Sequence, residues 1–318
     1  MTQTEKRQTM KRVFIDGKAG TTGLRIYERL GGRTDIEMIT IPEAYRKDEK
    51  ARREAINSAD VAFLCLPDAA AREAVAMVDN PDTVIIDTST AHRTDPAFAY
   101  GFPELSPSFE EKIKNSKRIA VPGCHASGFI ALVHPLINSG ILSPSARLIC
   151  HSITGYSGGG KKMIGEYEDA DRDPLLGAPR QYGLTQEHKH LKEMKAVTGL
   201  SSAPIFCPIV SDFYSGMVVT VPVFKEDVGG LSPAALAEVY RNLYQGPIVS
   251  YQTNMSEEGF LSGAGLAGKD GMQISVFGND DRILLVARYD NLGKGASGAA
   301  VENLNIVLGL EKTLGLEL

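Results

Sequence analysis

VFIDGKAGTTGLRIYERL, residues 13–30, decides the fold. A short apolar run, Val13 to Ile15, leads into a loop with glycines at 17, 20 and 23. Ile26 and Leu30 then recur at helical spacing before Gly31-Gly32. Strand, GxxGxxG loop and helix is the arrangement that seats a pyrophosphate on a helix N-terminus. The glycines permit the tight turn and the close backbone approach, and the free N–H groups favour the anion. Gly17, Gly20, Thr21, Thr22 and Gly23 are therefore candidate cofactor ligands. A lone glycine loop is a weak signal, since plain strand–helix turns look similar; its weight comes from its place at the head of an alternating array.

Downstream of the loop, strands and helices alternate. Residues 36–41, 61–66, 83–87 and 118–121 read as strands, and 47–58 and 69–78 as helices. The strands are continuous apolar runs rather than alternating ones, as expected when both faces of a sheet are covered. That predicts an α/β fold with a doubly wound, Rossmann-type parallel sheet. Beyond residue 124 the texture changes. The pattern predicts a helix over 126–138, strands over 147–154 and 217–224, and a helix opened by Ser232-Pro233. A hairpin is expected around Asn279-Asp280-Asp281, then a closing helix. Residues 157–204 are polar and rich in charge, glycine and proline. This second part reads as an α+β domain with a mixed or antiparallel sheet.

The cofactor's identity is read at the end of the second strand. An acidic residue there would hold the ribose of NAD. Here Thr40-Ile41-Pro42 is followed by Glu43, Tyr45, Arg46 and Lys47, and cations there suit a 2′-phosphate. NADP(H) is expected, with Arg46 as a ligand and Arg25 as a further candidate.

The 318 residues are 43% hydrophobic and 23% charged, with a net charge of −5. No basic stripe suggests nucleic acid, and no apolar run approaches the roughly 20 residues a membrane span needs. MTQTEKRQTMKR lacks the apolar core of a secretory signal, so a cytoplasmic location is expected. Cysteines 65, 124, 150 and 207 form no CxxC pair and no zinc spacing, and read as reduced thiols. Three lie in apolar runs. Cys124, in VPGCHASGF, stands alone at a Pro-Gly break before a helix, where free N–H groups lower a thiol's pKa. It is the candidate nucleophile.

A nucleophilic thiol needs an acid or base in space. Of the six histidines, His134 lies on a core-facing helix side and His151 in a strand. His125 adjoins the cysteine with an undefined direction. QEHKH places His188 and His190 in a polar stretch, where either can serve. HxH also suggests metal, but no third ligand completes a site, so no metal is expected. A thiol beside a hydride cofactor implies aldehyde, thioester and acyl-phosphate chemistry, and Arg93 is the candidate cation for the substrate.

Several of these stretches resemble one family, the short form of N-acetyl-γ-glutamyl-phosphate reductase of arginine biosynthesis. They are the glycine loop, DTSTAHR (87–93), YGFPEL (100–105), PGC (122–124), SGGGKK (157–162), HKH (188–190) and DNLGKGASGAAVENLNIVLGL (290–310). The resemblance implies NADPH-dependent reduction of N-acetyl-glutamyl 5-phosphate to the 5-semialdehyde and phosphate, with Cys124 carrying the thioester and His188 or His190 as acid/base. It places Ser89, Asn291 and Gly295 on the cofactor, and Ser157 and Gly158 with Arg93 on the substrate. It also implies a homodimer or homotetramer and a discontinuous nucleotide domain, residues 1–123 plus 291–318, around a substrate domain of 124–290. Two positions depart from the long form, which has Asn where Val121 stands and Arg-Gly where Ser215-Gly216 stands. The competing readings are an aspartate-semialdehyde-dehydrogenase-like reductase, whose Asn-Cys-Thr is absent here, and a non-catalytic nucleotide-binding redox sensor.

Overall fold

The computed structural model describes residues 10–318. The first sheet begins with β1 (Lys11–Asp16), α1 (Thr21–Leu30), β2 (Ile36–Ile39), α2 (Glu49–Ser58), β3 (Val61–Leu64), α3 (Asp68–Ala76) and β4 (Val84–Asp87). It is completed by β5 (Ala99–Tyr100), α4 (Pro107–Asn115) and β6 (Arg118–Ala120). The strand order is β2-β1-β3-β4-β6-β5, and every pairing is parallel. All four residues of β3 and of β4 are buried, which is why these strands read as unbroken apolar runs.

The second half starts with α5 (Cys124–Asn138), followed by β7 (Ile149–Gly155), α6 (Gly160–Glu168), β8 (Arg180–Gln181) and α7 (His190–Thr198). Next come β9 (Ile205–Ser211), β10 (Met217–Phe224), α8 (Pro233–Leu243), β11 (Val249–Tyr251), β12 (Met272–Gly278), β13 (Arg282–Tyr289) and α9 (Gly298–Val307). Seven strands form a mixed sheet in the order β11-β12-β13-β10-β7-β9-β8. Its strands alternate: β9 buries Phe206, Pro208 and Val210, while Ile205 and its alternate neighbours face outward. The inner face packs with α5 and α8 into one core that includes Phe129, Leu132, Val219, Leu236 and Leu285. α5 is apolar nearly all round, as a helix buried on every side must be. α9 returns to the first sheet, where Ala300, Val301 and Leu304 share a core with Val13, Phe63 and Ile86.

The hairpin of β12 and β13 and the Ser232 cap are as the pattern predicts; the Ser232 hydroxyl accepts from the Ala235 N–H. Several boundaries and elements differ. The helix expected from 126 starts at Cys124 itself, so the thiol belongs to the first turn. Cys65 lies just past β3 rather than within a strand. The polar stretch 157–204 contains α6 and α7, and the Cys207 run is the full strand β9. α4 is a further element without a clear sequence signal, since only Ile113 of its residues is buried.

Candidate active site

The glycine loop presents bare backbone. Gly20 caps α1 in an extended conformation, no side chain closes the helix start, and its first turn carries no acid. Gly17 has φ +86°, and a Cβ there would lie 2.2 Å from the Cys65 carbonyl oxygen. A Cβ on Gly23 would lie 2.5 Å from the Gly17 oxygen, so loop and helix touch directly. Beside the loop is a cleft of about 590 Å³ lined by Gly17, Lys18, Tyr27, Thr40, Arg46 and Lys47, among others. Its two carboxylates are already engaged: Asp16 pairs with Arg52 at 2.8 Å, and Glu43 with Arg46 at 2.8 Å. An uncapped helix N-terminus, glycines with no room for a side chain and a cation-rich far end fit NADP(H). Arg25 does not serve this end. Its guanidinium is drawn to the buried Asp290, 3.5 Å away, and it does not line the cleft.

A second cleft, of about 380 Å³, opens on the other side of the loop. It brings together Thr21 and Thr22 with Arg93, Cys124, Gly158, His188, His190, Asn291 and Gly295. Gly123 is the extended N-cap of α5, again with no side-chain cap. A Cβ there would lie 2.3 Å from Arg93 Nη1 and 2.5 Å from His190 Nε2, so only glycine lets both groups close on the cysteine turn. From the opposite side Gly295 packs on Cys124; a Cβ on it would lie 3.0 Å from that of the cysteine.

The turn is held by one buried carboxylate. Glu193 Oε1 accepts from the Gly123 N–H at 2.7 Å and from the Tyr100 hydroxyl at 2.7 Å, and Oε2 accepts from Arg93 at 3.1 Å. Arg93 also donates to the Val121 and Thr88 carbonyl oxygens, so three of its five N–H groups are committed. The thiolate expected from the helix N-terminus is not the resting species. Burial pushes the Cys124 thiol up to about 11, although Arg93 and the N–H groups of His125 and Cys124 pull it down. Desolvation outweighs the helix end, although the thiol still borders the cleft.

The two candidate histidines differ in placement. His190 opens α7 one turn before Glu193, is buried, and has no partner for Nδ1 among the described residues. Burial, then the charge of Arg93, holds its pKa well below the ordinary value, so the ring is neutral. His188 is half-buried, and its Nδ1 accepts from the His190 N–H at 3.3 Å. His125 points under the cysteine, with Nδ1 2.7 Å from the Ser152 hydroxyl and Nε2 2.6 Å from that of Tyr182. His134 meets the Val197 carbonyl at 3.0 Å, as a structural histidine would.

Asn291 is a clamp as well as a lining residue. It accepts from the Gly216 N–H and donates to the Ser157 hydroxyl, tying the C-terminal loop to the Ser-Gly loop. Gly158 lies against it, 3.3 Å from a would-be Cβ to Nδ2. Ser89 stands apart from the cleft. Its hydroxyl donates to Asp87 and accepts from the Ala91 N–H, while its neighbours Thr88 and Thr90 line the space. Among the described residues no group of three His, Cys, Asp or Glu side chains is placed to hold a metal ion.

Comparison with known proteins matches two family models. Residues 28–116 match the NAD binding domain of semialdehyde dehydrogenase, and 124–291 its dimerisation domain. N-acetyl-gamma-glutamyl-phosphate reductase 2 of Nostoc sp. is 46% identical over 319 residues, covering 96% of this chain and 99% of its own. The N-acetyl-gamma-glutamyl-phosphate reductases of Rhizobium meliloti and Brucella ovis are 46% and 45% identical, over 93% and 94% of this chain. The chain belongs to the N-acetyl-gamma-glutamyl-phosphate reductase family. Among solved structures, aspartate semialdehyde dehydrogenase II of Vibrio cholerae superposes with a TM-score of 0.71 at 16% identity, covering 95% of this chain and 99% of its own. The aspartate semialdehyde dehydrogenase of Candida albicans, crystallised with NADP, gives 0.64 at 15%, covering 96% and 100%. These two likenesses speak for the fold.

The family's cleft in this chain contains residues that the sequence alone does not mark. Glu193 follows His190 by three positions, which puts both on one side of a helix. That signal is available only once 190–198 is read as helical. Tyr182 and Ser152 carry no signal: one sits in the polar stretch and the other mid-strand, and only the fold brings them beneath Cys124.

Proposed function

We infer that this chain is an NADPH-dependent acyl-phosphate reductase that converts N-acetyl-glutamyl 5-phosphate to N-acetyl-glutamate 5-semialdehyde and phosphate. The observation that carries this reading is the shared cleft, in which the threonines of an uncapped nucleotide loop face a cysteine and a neutral buried histidine. Residues 1–123 with 291–318 are taken as the nucleotide domain and 124–290 as the substrate domain.

His190 is assigned as the acid/base because its ring is buried with Nε2 against the Gly123 turn, whereas His188, also on the cleft, is only half-buried. A neutral imidazole accepts the Cys124 proton as sulfur attacks the acyl carbon, and phosphate leaves with the bonding pair to give a thioester. NADPH, when bound, supplies the hydride that reduces this thioester. The His190 imidazolium returns its proton to the resulting thiohemiacetal oxygen, and takes it back as the carbon–sulfur bond breaks and the aldehyde departs. The two uncommitted Arg93 N–H groups, with Gly158 and the uncapped start of α6, hold the substrate's anionic groups. Ser157, expected on the substrate, is buried outside the cleft lining and supports this loop by accepting from Asn291. On the cofactor side Gly17, Gly20, Thr21, Thr22, Gly23 and Arg46 hold the nucleotide, with Gly295 and Asn291 beside the nicotinamide end and Ser89 supporting its loop.

The outer face of the second sheet leaves Ile149, Ile205, Phe224 and Leu284 exposed on one side, an apolar patch suited to a second copy of the chain. A homodimer through this face, in the cytoplasm, completes the reading. No helix among the described residues is long and apolar enough to cross a membrane.

The test runs the reaction backward, as phosphate- or arsenate-dependent NADP reduction with N-acetyl-glutamate semialdehyde and with aspartate semialdehyde. Turnover of the first is expected. Turnover of the second alone would move the assignment to the other substrate.

A further inference from the structure

Beneath Cys124 runs a chain of three polar side chains that the chemistry above does not use: Ser152, His125 and Tyr182. Either imidazole nitrogen of His125 can donate or accept, so the surroundings decide the direction. Ser152 has no exposed surface, and among the described residues its hydroxyl meets only His125 Nδ1. If Nδ1 carried the proton, the serine O–H would be left buried without an acceptor, a costly arrangement. The serine therefore donates, and Nδ1 accepts.

Burial holds the His125 imidazolium down to about 3, so the ring is neutral and carries a single proton. With Nδ1 accepting, that proton sits on Nε2 and is donated to the Tyr182 oxygen at 2.6 Å. The tyrosine oxygen is then an acceptor within the chain, and its own O–H is free. No other partner for it exists among the described residues, and Tyr182 lines the cleft together with Cys124, His188 and His190. Burial and the nearby Cys124 hold the phenol far above its ordinary pKa, so it remains a donor. Its place is fixed at both ends: its backbone N–H pairs with the Pro208 oxygen at 3.0 Å, and its ring packs edge-on against His125.

We propose that Tyr182 is a catalytic hydrogen-bond donor, its O–H aimed into the cleft by the Ser152–His125 chain to meet the acyl oxygen as that oxygen takes on negative charge. A preset donor of this kind strengthens only as charge develops, so it acts on the transition state. The substrate's identity rests on the reductase reading above; the direction of the hydrogen-bond chain does not.

Two measurements test the proposal. Nitrogen-15 NMR of the histidine-labelled protein reads the His125 tautomer directly, and Nε2–H is expected across the neutral range. In kinetics, Tyr182→Phe should lower kcat about 10²-fold with the NADPH Kd unchanged, and should lower the thermal midpoint, because the buried His125 Nε2–H loses its acceptor. Ser152→Ala, which frees the tautomer, should lower kcat by a smaller factor and broaden the His125 signals. An Nδ1–H tautomer in the wild type, or a Tyr182→Phe enzyme with wild-type kcat, would overturn the proposal. A wild type that binds NADPH but does not turn over the acyl phosphate would sink the reductase reading instead, and the NMR result would still decide the hydrogen-bond chain.

Discussion

Two helices here begin on an extended glycine that offers no side chain as a cap. α1 follows Gly20 (φ −73°, ψ 164°) and α5 follows Gly123 (φ −76°, ψ 146°), and neither has an acid in its first turn. Their local electrostatics are alike; their surroundings are not. Thr21 and Thr22 at the start of α1 are part-exposed, so its free N–H groups wait for a ligand's phosphates. Cys124 is part-exposed too, on the cleft, but α5 runs straight from it into the core, Arg93 and His190 crowd the Gly123 turn before it, and Gly295 packs on it. There desolvation exceeds the pull of the helix end and of Arg93, and the thiol rises to about 11. A helix N-terminus favours an anion only as far as the desolvation around it allows. In the proposed chemistry α1 binds one, whereas α5 presents a neutral nucleophile that a neutral base deprotonates during attack.

The largest test of this contrast is Cys124→Ser. It should lower turnover by at least about 10³-fold while leaving the NADPH Kd intact, as measured by fluorescence titration. Next is Glu193→Ala, which strips the carboxylate from Arg93, Tyr100 and the Gly123 N–H together. Breaking a buried pair of this kind costs about 3–5 kcal/mol, readable by urea unfolding. Glu193→Gln, keeping most of the hydrogen bonds, should cost less. Gly17→Ala acts at the other helix. The added methyl would lie 2.2 Å from the Cys65 oxygen at an unfavourable φ, so NADPH affinity should fall at least about tenfold while Cys124 alkylation stays unchanged. The smallest effect is a pH profile. Because burial raises the thiol from an ordinary 9.0, alkylation of the ligand-free enzyme should keep rising past that value toward about 11. A plateau near neutrality would mean that the helix end wins after all.

The same contrast explains how much is legible in the sequence. The glycine loop, the buried parallel strands and the Cys124 break are local patterns, and the structure has strands and helices close to where periodicity puts them. The limits lie where tertiary contacts set the outcome. α6 and α7 escape the apolar pattern for different reasons: α6 buries only Tyr167 fully, whereas much of what α7 buries is polar, namely His190, Glu193 and Thr198 beside Leu191 and Met194. The thiol's protonation state also escapes the sequence. A helix start is visible in the order Pro-Gly-Cys, but what crowds it comes from elsewhere in the chain: the side chains of Arg93 and His190 and the backbone at Gly295. Arg25 turns away from the cofactor because its partner, Asp290, lies at the end of the last strand, out of reach of any local pattern. Glu193, Tyr182 and Ser152 belong to this class: each becomes legible only when the fold sets it under the cysteine.

In the proposed chemistry Cys124 carries the acyl group. The most direct test mixes the enzyme with N-acetyl-glutamyl phosphate in the absence of NADPH, counts the phosphate released in the first turnover, and maps the acyl adduct by mass spectrometry. The account predicts one phosphate per chain and an acyl group on the peptide containing Cys124, discharged to the semialdehyde when NADPH is added. An enzyme that turns over with NADPH yet shows no burst and no adduct on Cys124 would contradict it.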